Sequence, residues 1–386
     1  MIVFCFDQVG LPNLATVDPG STEWKQLDHI WPRVTQFRLL RYCRDQKIKY
    51  DVCTVRDAPL GSFYPIGIGY FDHECDYIQL LSTALLKKVQ QGTVRLLFYY
   101  HEGDNPVDIK IRLDKLHQQH NLINSYIFVS ANSAADQLDN FIYFPDHESF
   151  FGTLNSKQQA IHESTNREYE FTLLNRTHKW WRAVCTSDLL FNRVLDRSLW
   201  SYNIDCSTVE KISDCPIAAG VLAGWKDRAE QFVSGAPYSC DRLTSSEQNN
   251  HTTVNTDLYT NSYFNIVTET LFHIDQSNGT FITEKTFKPI KFGQPFVLVA
   301  PAGTLAELRN LGYRTFDSVI DNRYDSIKNN TERWIAIRKL LSGMKKHGVD
   351  KLFWRCEEDI LWNQQMFVSR ANTSLNKLLE KILCQI

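Results

Sequence analysis

YFNIVTETLFHIDQSNGTFITEKTFKPIKFGQPFVLVAPAGTLAELRNLGYRTF, from Tyr263 to Phe316, switches repeatedly between strand-like and helix-like patterning. YFNIVTE is an apolar strand run, and FIT closes a second short strand. Thr283 is placed to cap a helix from about Glu284 to Phe292, with Gly293 as its stop. Pro289 falls inside that helix and predicts a kink or an early end. PFVLVA is the next buried strand. TLAELRNLG then carries a capping box, Thr304 with Glu307, and Gly312 at the far end. YRTF gives one more strand. The cadence is that of a right-handed βαβ series, half of a Rossmann-like domain.

Working outward, the first 150 residues repeat the cadence. MIVFCFD reads as a buried strand with no basic leader before it. A helix carries Tyr77, Leu80, Leu81, Ala84, Leu85 and Val89, and Gly92 ends it. VRLLFYY (Val94 to Tyr100) is a strand that runs into HEGDNP. A helix through Leu113 and Leu116 follows, then strands SYIFVS and NFIYFP. This predicts a parallel sheet covered on both faces. The polar stretch Ser149 to Arg167 reads as a domain connection. YEFTLLN and the helix in HKWWRAVCTSDLLFNRV open a second series, while Cys206 to Asn261 is irregular and polar. The expected fold is α/β: a Rossmann-like domain over 1–150, a second over 168–350, and C-terminal helices over 351–386 packing back on the body. Ligands of such folds bind beyond the carboxyl ends of the strands, so two facing halves would hold a site in the cleft.

The bulk composition narrows the function classes. Hydrophobic content of 43% and charged content of 22% are globular values. With 23 Phe, 16 Tyr and 9 Trp, the interior should be bulky. A net charge of -2 argues against a general polyanion binder. No apolar run reaches the roughly 20 residues that span a bilayer. The ten cysteines lack CxxC spacing, which suggests reduced thiols and a cytoplasmic setting. The N-x-S/T triplets at Asn175, Asn250, Asn278, Asn329 and Asn372 are as many as an Asn-rich chain gives by chance. No P-loop, GxSxG or GxGxxG is present, which disfavours kinase, hydrolase and dehydrogenase readings. DHECD (Asp72 to Asp76) mixes metal-capable residues, but adjacent positions point different ways, so no metal site is expected.

Three stretches carry chemistry. In ITEKTFK a helix start exposes unpaired N–H groups, a seat for phosphate to which a lysine adds charge. A surface helix with a Glu284–Lys288 pair would read the same way. In LLNRTHKWWR, Arg176, His178, Lys179 and Arg182 follow a strand end within about two helical turns. That clustering suits a clamp on a diphosphate leaving group, or a solvated basic face over Trp180 and Trp181. In FYYHEGDNP, Glu102 and Asp104 end a strand where an acceptor's general base could sit, although Gly-Asp-Asn-Pro is also turn chemistry.

YFNIVTET followed by FITEKTFKPIKFGQPFVLV resembles the donor-binding signature of the α1,3-fucosyltransferase family, over perhaps fifty residues. The motif set is also similar to uncharacterised glycosyltransferase-like proteins of phages and large DNA viruses. The resemblance implies a GT-B glycosyltransferase with a nucleotide-sugar donor as co-substrate, metal-independent, inverting and without a further cofactor. It implies ribose contact by Glu284, diphosphate contact by Lys285, and an acid facing sugar or ribose at Glu269. Arg182 looks like the family's phosphate-binding arginine, and Glu102, with Asp104 second, like its acceptor-side base. Thr283, Lys288, Arg176 and Lys179 complete the expected donor set, and the extra cation Lys288 and Pro289 depart from the family's pattern. The acceptor is a glycan or a hydroxymethylated base in viral DNA. The DNA alternative needs the basic stripe RLLRYCRDQKIK (Arg38 to Lys49). A non-catalytic nucleotide-binding module is the third reading. A viral chain of this kind would work in the host cytoplasm, and the oligomeric state is left open.

Overall fold

Ten strands fall into two wholly parallel sheets in a computed structural model describing residues 1–7, 37–69, 71–122, 125–152, 167–205, 212–217, 224–240, 254–273 and 279–385. The chain divides into two units. Unit 1 comprises Met1–Ser149, Gln276–Phe281 and Arg370–Ile386; unit 2 comprises Phe150–Asp275 and Ile282–Ser369. The α/β class expected from the alternating pattern is thus present, with a parallel sheet in each unit.

Unit 1 is built on β1 (Ile2–Phe6), α1 (Arg38–Asp45), β2 (Tyr50–Thr54), β3 (Ser62–Ile68), α2 (Thr83–Gln90), β4 (Val94–Tyr100), α3 (Pro106–Gln119), β5 (Tyr126–Ser130), β6 (Phe141–Tyr143) and the start of α4 (Asp146–Gly152). Its sheet order is β2-β1-β3-β4-β5-β6. Leu96 to Tyr100 of β4 are all buried, as cover on both faces demands. The β1–β3 register holds only at Phe4 and Phe63, and Pro65, which has no N–H, stands two residues on. The late segment is tied in by Arg370, whose Nε and Nη2 donate to Glu148 Oε1 and Oε2 at 2.6 and 2.9 Å; Glu148 is fully buried.

Unit 2 contains β7 (Tyr169–Thr177), α5 (Trp180–Phe191), β8 (Ser198–Asp205), α6 (Trp225–Ser234), α7 (Asp257–Thr260), β9 (Ser262–Thr268), α8 (Glu284–Lys291), β10 (Phe296–Val299), α9 (Thr304–Asn310), α10 (Asn330–His347), α11 (Val349–Arg355) and the first half of α12 (Glu357–Leu383), whose second half belongs to unit 1. Its sheet order is β10-β9-β7-β8. Counted along the chain, both sheets therefore run second, first, third, fourth strand, the doubly wound order. The order reverses between β1 and β3 in unit 1 and between β7 and β9 in unit 2, and ligands of such sheets bind at that switch point.

Several local expectations are corrected. FIT is not a strand; Phe281 makes one isolated antiparallel bridge with Asn132, within unit 1. YRTF forms no strand, because Phe316 adopts φ 62°, which breaks extended backbone. The Arg314 N–H donates instead to Asn363 Oδ1, and its carbonyl accepts from Asn363 Nδ2. Helix α9 is capped by Asp325, which accepts from Leu305 N and Ala306 N at 3.0 and 3.1 Å, while Thr304 Oγ1 donates to Pro301 O. Helix α2 starts at Thr83 with Ser82 as cap, and Leu80, expected on its apolar face, is exposed. Helix α8 runs through Pro289 to Lys291: burial of Phe287 and Ile290 offsets the missing bond, and Gly293 at φ 66° closes the end. Much of 206–261 lies outside the described residues, as does 153–166 of the connection.

Candidate functional site

The switch point of unit 2 has a built geometry. β7 and β9 pair from Tyr169–Ser262 to Thr172–Asn265, and no register continues beyond. Side chains bridge the carboxyl ends instead. Thr268 Oγ1 donates to Asn175 Oδ1 at 2.7 Å, and Asn175 Nδ2 donates to Thr186 Oγ1. Arg182, buried on the first turn of α5, donates to Thr177 O on one strand at 3.1 Å. It also donates to Glu269 O beyond the other at 2.6 Å. Its guanidinium stacks on Trp181, which itself stacks on Phe272. The arginine expected on a diphosphate thus braces the parted strands, and Trp181 belongs to the core.

Glu269 is fully buried and turned inward. Its Oε1 accepts from Thr283 N at 3.0 Å and Thr286 Oγ1 at 2.5 Å; its Oε2 accepts from Thr283 Oγ1 at 2.6 Å and Thr270 N at 3.1 Å. The carboxylate expected near the sugar holds the start of α8. Thr283 caps α8, accepting from Lys285 N at 3.4 Å. Lys285 Nζ lies 3.2 Å from Thr270 Oγ1, 3.2 Å from Thr283 Oγ1 and 3.1 Å from Glu284 Oε1, about a third exposed. A chain of donors therefore runs from Lys285 through Thr283 to Glu269, each bond polarising the next.

Lys288 lies one turn further along α8, buried, with its ammonium 5.9 Å from the Phe151 ring. Burial pushes its amine down to about 8, Glu284 works against that, and the charges of Lys285 and Arg176 add to it. Arg176, next to the last residue of β7, is exposed. Glu269, Thr283, Glu284 and Lys285 are thus joined by hydrogen bonds, and Lys288 and Arg176 are joined to them through their fields. Lys291 is held down at about 8 by burial and donates to Phe151 O at 3.4 Å. The Lys179 carbonyl accepts from Tyr202 Oη and Ala183 N.

In unit 1, Asp104 is exposed and accepts from Tyr100 Oη at 2.5 Å, while Asn105 caps α3. Glu102 is half-exposed beside the buried His101, Nε2 to Oε1 3.6 Å. Sequence reading missed the group behind that ring. Asp146, fully buried, accepts from Arg38, Tyr42 and Tyr99. Burial opposes its ionisation, but Arg38, His101, His147 and the bond from Tyr99 together outweigh burial and hold the carboxyl below its usual value. The only local signal was the acid after the short strand in FPDHE. Gly103 packs against Phe281, and His147 meets the same ring edge-on at 5.4 Å.

Other candidates resolve into structure. Asp76 accepts from Ile78 N and Gln79 N and pairs with His120. Among the described residues no group of three or more His, Cys, Asp or Glu could hold a metal ion. A groove on α12 is lined by Leu361, Gln364, Gln365, Val368 and Ser369 and has no charged side chain. Among the described residues no helix is long and apolar enough to cross a membrane. Comparison with known proteins found no matching family model, curated protein or solved structure. The fold and site define an α/β protein with two parallel sheets and a cationic cluster at the switch point of the second.

Proposed function

We propose that the chain is a GT-B-like glycosyltransferase in which unit 2 binds a nucleotide-sugar and unit 1 presents the acceptor. The observation carrying this reading is the group of Arg176, Lys285 and Lys288 around the start of α8, with the carboxylates of Glu284 and the inward-turned Glu269 beside it, at the strand ends where doubly wound sheets take ligands. Clustered positive charge of that kind stabilises a departing diphosphate. Arg176, Lys285 and Lys288 take the diphosphate, and Glu284 the ribose. Arg182 and Glu269 serve by holding that frame. Glu102 is the base that takes the acceptor proton, with Asp104 second, and one displacement inverts the anomeric carbon. A glycan is the favoured acceptor. The stripe a DNA acceptor would need has Arg38 paired with Asp146, and Arg41 and Arg44 with Asp45.

The test is a thermal-shift panel of UDP-, GDP-, CMP- and TDP-linked sugars on wild type, Glu284→Ala and Lys285→Ala. One family of donors should raise the melting temperature of wild type and lose that effect in both variants. Stabilisation by none of them sinks the donor site. Stabilisation without turnover across a glycan screen returns the chain to a nucleotide-binding module.

A further inference from the structure

The loop after β4 sets a buried imidazole against a half-exposed carboxylate. His101 Nε2 is 3.6 Å from Glu102 Oε1, with the two side chains 8% and 42% exposed. Other charged groups bear on the ring from two further elements. Arg38 opens α1; Asp146 and His147 open α4, with the His147 ring centroid 6.5 Å away. Burial, then Arg38 and His147, push the imidazole down to about 4 against the pull of Asp146. The ring is therefore neutral near pH 7 and has one N–H to assign.

Its surroundings assign it. Nδ1 is buried and has no hydrogen-bond partner among the described residues. A proton on Nδ1 would orphan a buried donor and leave a bare Nε2 lone pair facing a carboxylate oxygen. A proton on Nε2 points at Glu102 and leaves only an unfilled acceptor, the lesser penalty. At 3.6 Å the contact is longer than a formed hydrogen bond, and contacts of this kind tighten when substrate binds.

We propose that His101 is the positioning residue of Glu102, its Nε2–H directing Glu102 Oε1 and holding that carboxylate ready for the acceptor's proton. This rests on the transferase reading of Glu102. In the transfer the acceptor O–H breaks, its proton passes to Glu102, and the acceptor oxygen bonds to the anomeric carbon. The bond from that carbon to the diphosphate oxygen breaks, and its electron pair leaves with the diphosphate. His101 neither gains nor loses a proton. A histidine that titrated near neutrality would instead arrive charged and hold the base in an ion pair.

The pairing is tested on the whole chain labelled with 15N-histidine, the His101 ring signals being those lost in His101→Gln. Expected at pH 7 are a protonated Nε2 and a bare Nδ1, with the Nε2 signal moved by Glu102→Gln. Donor turnover adds a second readout. In His101→Leu the acidic limb of the pH–rate profile should move to higher pH with KM for the donor unchanged. His101→Gln, which keeps an N–H, should bring the limb back towards wild type. An Nδ1–H tautomer, a ring indifferent to Glu102→Gln, or an acidic limb unmoved in His101→Leu overturns the proposal. If wild type turns over no nucleotide-sugar, the transferase reading fails and the ring spectrum alone decides whether the pair exists.

Discussion

Glu269 holds Thr283 at two points, Oε1 accepting its backbone N–H at 3.0 Å and Oε2 its hydroxyl at 2.6 Å. One carboxylate at the end of β9 thereby sets where α8 begins, and with it where Glu284 and Lys285 stand. Each of its oxygens also accepts from a second group, one of them the Thr270 N–H. Glu269→Gln must turn an NH2 towards one of two backbone donors. The expected loss is about 2–3 kcal/mol of stability without any ligand present, measured by denaturant unfolding. A residue that only touched the sugar would leave that midpoint in place.

Gly103 is a glycine for want of room. A Cβ there would lie 2.2 Å from Phe281 Cγ, and the Phe281 ring is itself buried. Gly103→Ala should cost about 1–3 kcal/mol by overpacking. Combined with Phe281→Ala, the two nearest ring atoms are gone and only the residue 281 Cβ, 2.6 Å away, still has to give, so the double variant should be less destabilised than the two single effects added. Strict additivity would show that the glycine answers to something else.

Lys288 makes anion affinity fall with rising pH. Burial, Lys285 and Arg176 bring its amine to about 8, so the charge a phosphate needs is present below that pH and lost above it. Titration calorimetry with a nucleoside diphosphate should show affinity dropping several-fold between pH 7 and 9. In Lys288→Met it should be weaker and flat over that range. Stability runs the other way. The folded state holds the amine below its ordinary 10.5, so fold stability should rise in wild type as pH climbs from about 8. Lys288→Met removes that slope.

Acid should weaken unit 1 through two of its buried histidines. His101 and His117 are both pushed from 6.5 to about 4, first of all by burial. The unfolded chain binds protons at these rings in that window and the folded chain does not, so stability falls as pH drops from 6.5 towards 4. The gap corresponds to on the order of 3 kcal/mol for each ring. His117, whose Nδ1 meets Ser125 Oγ at 2.6 Å, is the cleaner probe. His117→Gln should flatten the melting temperature against pH across this range.

What could be read in advance followed how local its cause was. The limits of α8 were legible because its cap, Thr283, and its stop, Gly293, lie within ten residues of each other. The cap of α9 was not, because Asp325 reaches it from twenty residues downstream and takes the place expected of Thr304. YRTF has buried Tyr313 and Phe316, so its apolar spacing was real. Its hydrogen bonds were supplied by the side chain of Asn363 rather than by a strand. In the candidate site, residue types were legible and their duties were not. Glu269 and Arg182 carry charges that suit a ligand, and only the structure shows these groups bonded to α8 and to strand-end backbone. His101 was passed over because Arg38 and Asp146, which act on it, lie sixty-three residues before it and forty-five after it.

The order in which residues emerge during synthesis adds a last consequence. Unit 1 begins with Met1 but includes Arg370–Ile386. Arg370, which holds both oxygens of the fully buried Glu148 carboxylate, is made only after the whole of unit 2. Unit 2 draws on nothing beyond Ser369 and can close first. The part of the chain that starts earliest is completed last.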